Sequence, residues 1–226
     1  MCASSIEKTV ELRDLFAVAA EQRDEAWQRR FYAAAPGADL VVLDPQICDG
    51  PDTFPYFSLA MPATGVFTPT SIDDALEFVL DRGAGIAIFA TPDRTAAPQW
   101  VFTYGDLVSY RLFGDFECGP RESGPPQSSG DILVASPSEQ FLPSYARKAL
   151  GNFMRNVYRH PDPKVALIGD HSGAQGLMVN LTLDQYDGDE GKLRAALHYL
   201  GWFLPRTYRV TAMPTEWSDS NFAPLA

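Results

Sequence analysis

The stretch ILVASPSEQFLPSYARKALGNFMRNVYRHPDPKVALIG (residues 132–169), continued by GLMVNLTLDQYDGDEGKLRAALHYLGWFLPRTYRVTA (residues 176–212), decides the fold. Its apolar spacing switches between period 2 and period 3.6 and reads strand, helix, strand, strand, helix, strand. Ile132 to Ala135 is a short apolar run. Ser136-Pro137-Ser138-Glu139 has the pattern of a capping box with proline at the first helical position. An internal proline costs a helix about 3 kcal/mol, so Pro143 predicts that the main helix starts there. Leu142, Tyr145, Ala146, Ala149, Leu150, Phe153 and Val157 recur at helical spacing and carry that helix to about Arg159. Val165 to Ile168 is the next strand, and Asp170 to Gly176 a glycine-containing hairpin turn. Leu177, Val179, Leu181 and Leu183 alternate with Met178, Asn180 and Thr182. Asp187 with Glu190 is a second capping pattern; Leu193, Ala196, Leu197 and Leu200 face inward, and Pro205 stops the helix. Tyr208 to Ala212 is the last strand.

This order predicts an α+β fold whose C-terminal part is a ferredoxin-like split βαβ (βαββαβ) sandwich, with both helices on one face of a four-stranded sheet. The other face is then open unless something covers it. Met178, Asn180, Thr182, Arg209 and Thr211 are its candidates, and the front domain, a second subunit or a partner could cover it. These outer residues are not aromatic, unlike the stacking sheets of RNA-binding modules.

Upstream, residues 6–34 read as helix in two pieces, and Ala35-Pro36-Gly37 ends them. Leu40 to Leu43 is a short strand, residues 45–55 a Pro/Asp/Gly loop, and Tyr56 to Ala60 an edge strand. Ser71 with Asp74 forms a capping box ahead of the buried stripe Ala75, Leu76, Val79 and Leu80. Gly83 and Gly85 stop this helix, and Ile86 to Ala90 is a buried strand. Trp100, Phe102 and Tyr104 alternate along a further strand, where core packing explains them better than a binding platform. Residues 106–113 lean towards helix. Gly119 to Gly130 is rich in Gly, Pro and Ser. The predicted organisation is therefore an acidic α+β domain over residues 1–118, a linker over 119–131 and the ferredoxin-like domain over 132–226. No internal repeat is legible.

The rear half resembles the SseB-like (enhanced serine sensitivity) family over about residues 132–213. Leu142-Pro143 before a long helix, Lys164-Val165-Ala166-Leu167-Ile168, the Leu177-to-Leu183 run, and Leu204-Pro205 followed by Tyr208-Arg209-Val210 carry the likeness. Phe67-Thr68-Pro69-Thr70-Ser71 through Asp106 is similar, more loosely, to that family's front domain. The resemblance implies a bacterial, non-catalytic protein acting as an interaction module. It brings no catalytic residues with it.

Of the 226 residues, 46% are hydrophobic and 21% charged, the balance of a globular chain with an adequate core. The formal net charge is −11, and residues 1–121 carry 9 basic and 18 acidic side chains. Such a surface repels phosphate backbones and suits a basic protein partner, so nucleic-acid binding is not expected. Cys2, Cys48 and Cys118 form neither a CxxC pair nor an even set; no metal site, cofactor or disulfide framework is expected, and free thiols fit a reducing compartment. No run approaches about 18 apolar residues and none follows the N-terminus like a leader, so the expected location is cytoplasmic, without membrane contact.

No nucleophile elbow, phosphate loop or dinucleotide fingerprint occurs, and no catalytic residue is expected. Asp170-His171-Ser172 superficially offers acid, base and nucleophile, but neighbours in one turn do not converge as a triad. His160 is explained by the helix end it follows and His198 by an exposed helix face. The residues expected to bind a partner are the acidic pair Asp73 and Asp74 and the basic stripe Arg147, Lys148, Arg155 and Arg159. The leading expectation is a non-catalytic protein–protein interaction module, of which an immunity or secretion-accessory protein is one form. The alternatives are an enzyme or small-ligand sensor with a pocket between the two domains, using groups such as Tyr104, Asp106 and Arg111, and a homodimer through the open sheet at residues 177–183.

Overall fold

The computed structural model describes residues 5–63, 65–94, 96–116, 132–169 and 175–225. The chain is α+β and divides into two compact units, Met1–Glu117 and Cys118–Ala226. The predicted linker at 119–131 and the turn holding His171 lie outside the described residues.

The first unit runs α1 (Ser5–Ala17), α2 (Glu25–Ala34), β1 (Val41–Asp49), β2 (Pro55–Ala60), α3 (Ile72–Arg82), β3 (Gly85–Phe89), β4 (Trp100–Phe102) and α4 (Tyr104–Phe113). Its sheet is ordered β1-β2-β3-β4; β2 and β3 are parallel across α3, and the two outer pairs are antiparallel. Side-chain caps set the helix starts: Asp24 accepts the Trp27 amide, and Ser71 and Asp74 form the predicted capping box. Gly83, at φ +67°, closes α3 in the left-handed conformation that glycine adopts without a Cβ penalty. β1 continues through residues 45–49, where a loop was expected. Its register with β2 shifts between Val42 and Ile47, so Asp44 and cis-Pro45 sit in an irregularity where proline's missing N–H costs no ladder bond.

The pairings Ile86↔Phe102 and Ile88↔Trp100 put Trp100 and Phe102 on one face of the sheet. There they meet Trp27, Phe31 and Tyr32 of α2, with Phe31 fully buried and its ring centroid 4.7 Å from Trp100. Core packing is what these aromatics do. Tyr104 leaves the strand, opens α4, and donates its hydroxyl hydrogen bond to the Leu80 carbonyl at 3.1 Å. Thr103 and Asp106 form a second capping box, with Asp106 only 2% exposed. Thr103→Ala removes the hydroxyl that accepts the Asp106 amide and is expected to cost about 1–2 kcal/mol, read as a lowered denaturation midpoint.

The second unit runs β5 (Leu133–Ala135), α5 (Ser144–Asn156), β6 (Lys164–Gly169), β7 (Gln175–Val179), α6 (Glu190–Leu200), β8 (Arg209–Ala212) and β9 (Ala223–Pro224). The element order is as expected, but the strand order is not ferredoxin-like. The sheet is ordered β5-β6-β7-β8, antiparallel at the first two pairs and parallel at β7–β8. A ferredoxin-like sheet would place β5 between β7 and β8. The reason lies in β5 itself: three exposed residues that pair only with the Leu167–Gly169 end of β6. Such a strand belongs at an edge, and the richly apolar β6 and β7 fill the centre.

Smaller boundaries shift for local reasons. α5 stops at Asn156, before Arg159. Glu139 does not open a helix; its carboxylate reaches forward to accept the Ser144 amide at 2.8 Å. The run after Val179 leaves the sheet and becomes a 3-10 turn at Leu183–Tyr186. Asp187 adopts a left-handed conformation, and Asp189 caps α6 by accepting the Lys192 amide.

The two units repeat one pattern. α2-β1-β2-α3-β3 and α5-β6-β7-α6-β8 each join an antiparallel strand pair to a third, parallel strand through an 11-residue helix. In the second unit, Tyr158, just past α5, donates to the Ala196 carbonyl of α6.

The sheet face expected to be open in the second unit is covered by the chain's own tail. Phe222, Met213 and Trp217 pack on Ala166, Ile168 and Met178. β9 pairs with the Lys164–Val165 end of β6, Leu225 is fully buried, and its amide donates to the Pro163 carbonyl at 2.8 Å. Asn180 fastens this tail. Its Oδ1 accepts the Lys164 amide at 2.8 Å, while its Nδ2 donates to the Asp162 carbonyl and to Asp219 Oδ2, each at 2.9 Å. Lys164 Nζ adds ion pairs to Asp162 and Asp219. A homodimer through residues 177–183 therefore finds Met178 already covered.

Candidate docking surfaces

The outer face of α3 gathers carboxylates. Asp73, Asp74, Glu77 and Asp81 fall on one exposed arc with Phe78 and Arg82, because positions three and four apart share a helix face. The opposite arc buries Ile72, Ala75, Leu76, Val79 and Leu80. α4 holds the acidic face in place: the Tyr110 hydroxyl donates to Asp73 Oδ1 at 2.7 Å, and Arg111 Nε pairs with Glu77 Oε1 at 2.7 Å. Burial first, and then Asp73, pushes the Tyr110 phenol above its ordinary pKa, so it remains a donor. Asp74 accepts from the Ser71 hydroxyl and amide, which hold its carboxyl below the usual range. Phe78, 38% exposed, rests edge-on against Phe57, with the Arg82 guanidinium 4.7 Å from its ring centre. The lead-in to α3 also exposes Val66 and Phe67.

The basic stripe does not survive folding. Arg147 turns back on the main chain, donating to the Leu142 and Pro137 carbonyls, and lies 3.6 Å from Glu139. Arg155 donates to Asn152 and to the Leu225 carbonyl, where it holds the tail. Arg159 lies beyond the end of α5 at φ +56° and is off the stripe altogether. Lys148 stays exposed on α5. These guanidiniums satisfy main-chain carbonyls of the segment ahead of α5 and of the returning tail, which spacing alone does not reveal.

The groups of the enzyme alternative are also engaged within the first unit. Tyr104 binds the Leu80 carbonyl, Asp106 caps α4, and Arg111 pairs with Glu77. Among the described residues no cluster of three His, Cys, Asp or Glu side chains suits a metal ion, and no helix is long and apolar enough to cross a membrane.

The second unit has a cleft of about 510 Å³, lined by Val157, Tyr158, Arg159, His160, Pro161, Leu181, Gln185 and Tyr186. It opens where α5 turns into β6, beside the segment that follows β7. His160 Nε2 lies 3.1 Å from the Asn180 carbonyl, which assigns that nitrogen the proton. Burial raises the pKa of Tyr158 first, with Tyr186 and Tyr199 adding to it, and burial also raises Tyr186. Both phenols stay neutral near pH 7. No sequence pattern marks this cleft; it forms from two connections that are far apart along the chain.

No family model, no curated protein and no solved structure matches this chain.

Proposed function

We propose that the chain is a non-catalytic, cytoplasmic protein-interaction module of bacterial, SseB-like type, and that the outer face of α3 docks a basic protein partner. The carrying observation is the set of four carboxylates around a half-exposed Phe78, two of them positioned by Tyr110 and Arg111. A flat aromatic ringed by fixed charge is the anatomy of a recognition patch: the ring supplies apolar contact, and the charges steer a partner of opposite sign. The first unit carries most of the chain's negative charge, which extends that steering beyond the patch. An immunity or secretion-accessory role fits a partner of this kind.

Charge reversal at Glu77 and Asp81 tests the reading without touching the Ser71–Asp74 cap. Glu77→Lys with Asp81→Lys is expected to reduce capture of a basic protein from bacterial extract roughly tenfold. The wild-type capture should weaken as salt rises, since exposed charges are screened. Capture that ignores both the reversal and the salt rules out this face.

A further inference from the structure

We propose that the cleft at the α5–β6 corner is the seat for an amphipathic, acidic helix of a protein partner. The inference rests on reading the chain as an interaction module, but it uses the other unit and the opposite sign of charge. The first unit supplies the template. There, α1 sits on the equivalent corner, between α2 and β1. The Asp39 amide donates to Thr9 Oγ1 at 2.7 Å, and Arg13 donates to the Pro62 carbonyl, just after β2, at 3.3 Å. The Lys8 side chain of α1 lies against Gly37 in that connection. Leu12 and Leu15 of α1 are buried, and Trp27 of α2 donates its indole hydrogen bond to the Leu15 carbonyl. One helix thus spans the connection that precedes the first strand of the repeat and the connection that follows the second.

In the second unit those same two connections, residues 157–161 and 181–186, line the open cleft. The element ahead of α5 is β5, paired to β6, so the described residues hold no counterpart of α1 there. The seat has the features of a helix groove. Val157, 56% exposed, offers apolar contact, the buried Leu181 lines the cleft behind it, and Tyr158 and Tyr186 bring rings with polar tips. Arg159 is exposed and makes no hydrogen bond or ion pair among the described residues. A helix with leucine-like residues at i and i+3, as Leu12 and Leu15 stand in α1, and with glutamate in place of Lys8, which in the first unit lies beside Gly37 in the connection that corresponds to the one holding Arg159, complements that surface in shape and charge.

The probe is a labelled peptide of the Ser5–Ala17 sequence bearing Lys8→Glu, titrated with the full chain by fluorescence anisotropy. Saturable binding is expected. It should weaken at least tenfold with Val157→Glu or Arg159→Glu, both exposed positions, and be unchanged by Glu77→Lys with Asp81→Lys. Hydrogen exchange should slow at 157–161 and 181–186 when the peptide is bound. If Val157→Glu unfolds the chain, Arg159→Glu decides. Absence of saturation at millimolar peptide, binding indifferent to the tested variants, or protection elsewhere overturns the proposal. Self-association of the chain lost on Val157→Glu also overturns it, by assigning the cleft to a second copy.

Discussion

A chain ending at Met213 is expected to lose the native packing of its second unit. The deleted segment carries Trp217 and Phe222, which close the face made by Ala166, Ile168 and Met178, and the fully buried Leu225. Burying a phenylalanine or leucine side chain contributes about 1.5–3 kcal/mol each. With Trp217 and the β9 pairing added, the loss is on the order of 5 kcal/mol or more, comparable to the whole stability of a small domain. The deletion also exposes a contiguous apolar sheet face, so the product should bind a hydrophobic dye and aggregate at concentrations where the full chain does not. Urea unfolding followed by circular dichroism gives the midpoint. A truncated chain with an unshifted midpoint and no added dye binding would mean that the tail does not close the sheet.

Asn180→Ala is expected to destabilise the same unit by about 3 kcal/mol, a large effect for one polar side chain. The residue is 5% exposed, and its amide group serves three partners. Deleting it leaves the Lys164 amide, the Asp162 carbonyl and the Asp219 carboxylate each short of a partner, at about 1–3 kcal/mol for a buried group so stranded. The pH dependence gives an independent readout. The Asn180 amide first, and Lys164 second, hold the Asp219 carboxyl below its ordinary pKa of 3.8. A carboxyl depressed in the folded state contributes stability that is full above its unfolded pKa and is lost as pH falls through the native value. The wild-type urea midpoint should therefore fall at the acid end of a pH 7 to pH 3 series. Asn180→Ala should start lower and fall by less, because part of the depression has gone. Equal acid slopes in the two chains would place Asp219 outside this network.

Much of the fold was legible because local rules agree with the tertiary outcome. Ser71 and Asp74 form the capping box that their spacing announces, residues 106–113 are helical, and the core stripe of α3 is buried, as are Leu142, Ala146, Ala149 and Leu150 of the α5 stripe, whereas Val157 past the helix end is exposed. The strand order was not legible. Periodicity says that β5 is a strand, but its place depends on how many of its residues can be buried, and three are too few for a centre. The tail reads as irregular because Trp217, Phe222 and Leu225 follow no period; Trp217 and Phe222 fill places set by the sheet beneath them. The repeat is invisible because it lies in strand pairing and not in residue identity. Of the site residues, Asp73 and Asp74 stand on the acidic face, while Glu77, Phe78 and Asp81 complete it at the i+4 spacing that sequence inspection passed over. The basic stripe misled because a helical wheel shows which way an arginine leaves the helix and not which carbonyl it turns to meet.

The most direct measurement is photocrosslinking in living cells with benzoylphenylalanine placed at Phe78 and, in a separate chain, at Phe113, an exposed aromatic of α4 in the same unit. The account predicts an adduct with a basic protein from Phe78, absent from Phe113 and lost when Glu77→Lys and Asp81→Lys are combined with it. Equal adducts from both positions, or an adduct at Phe78 that survives the charge reversal, would contradict it.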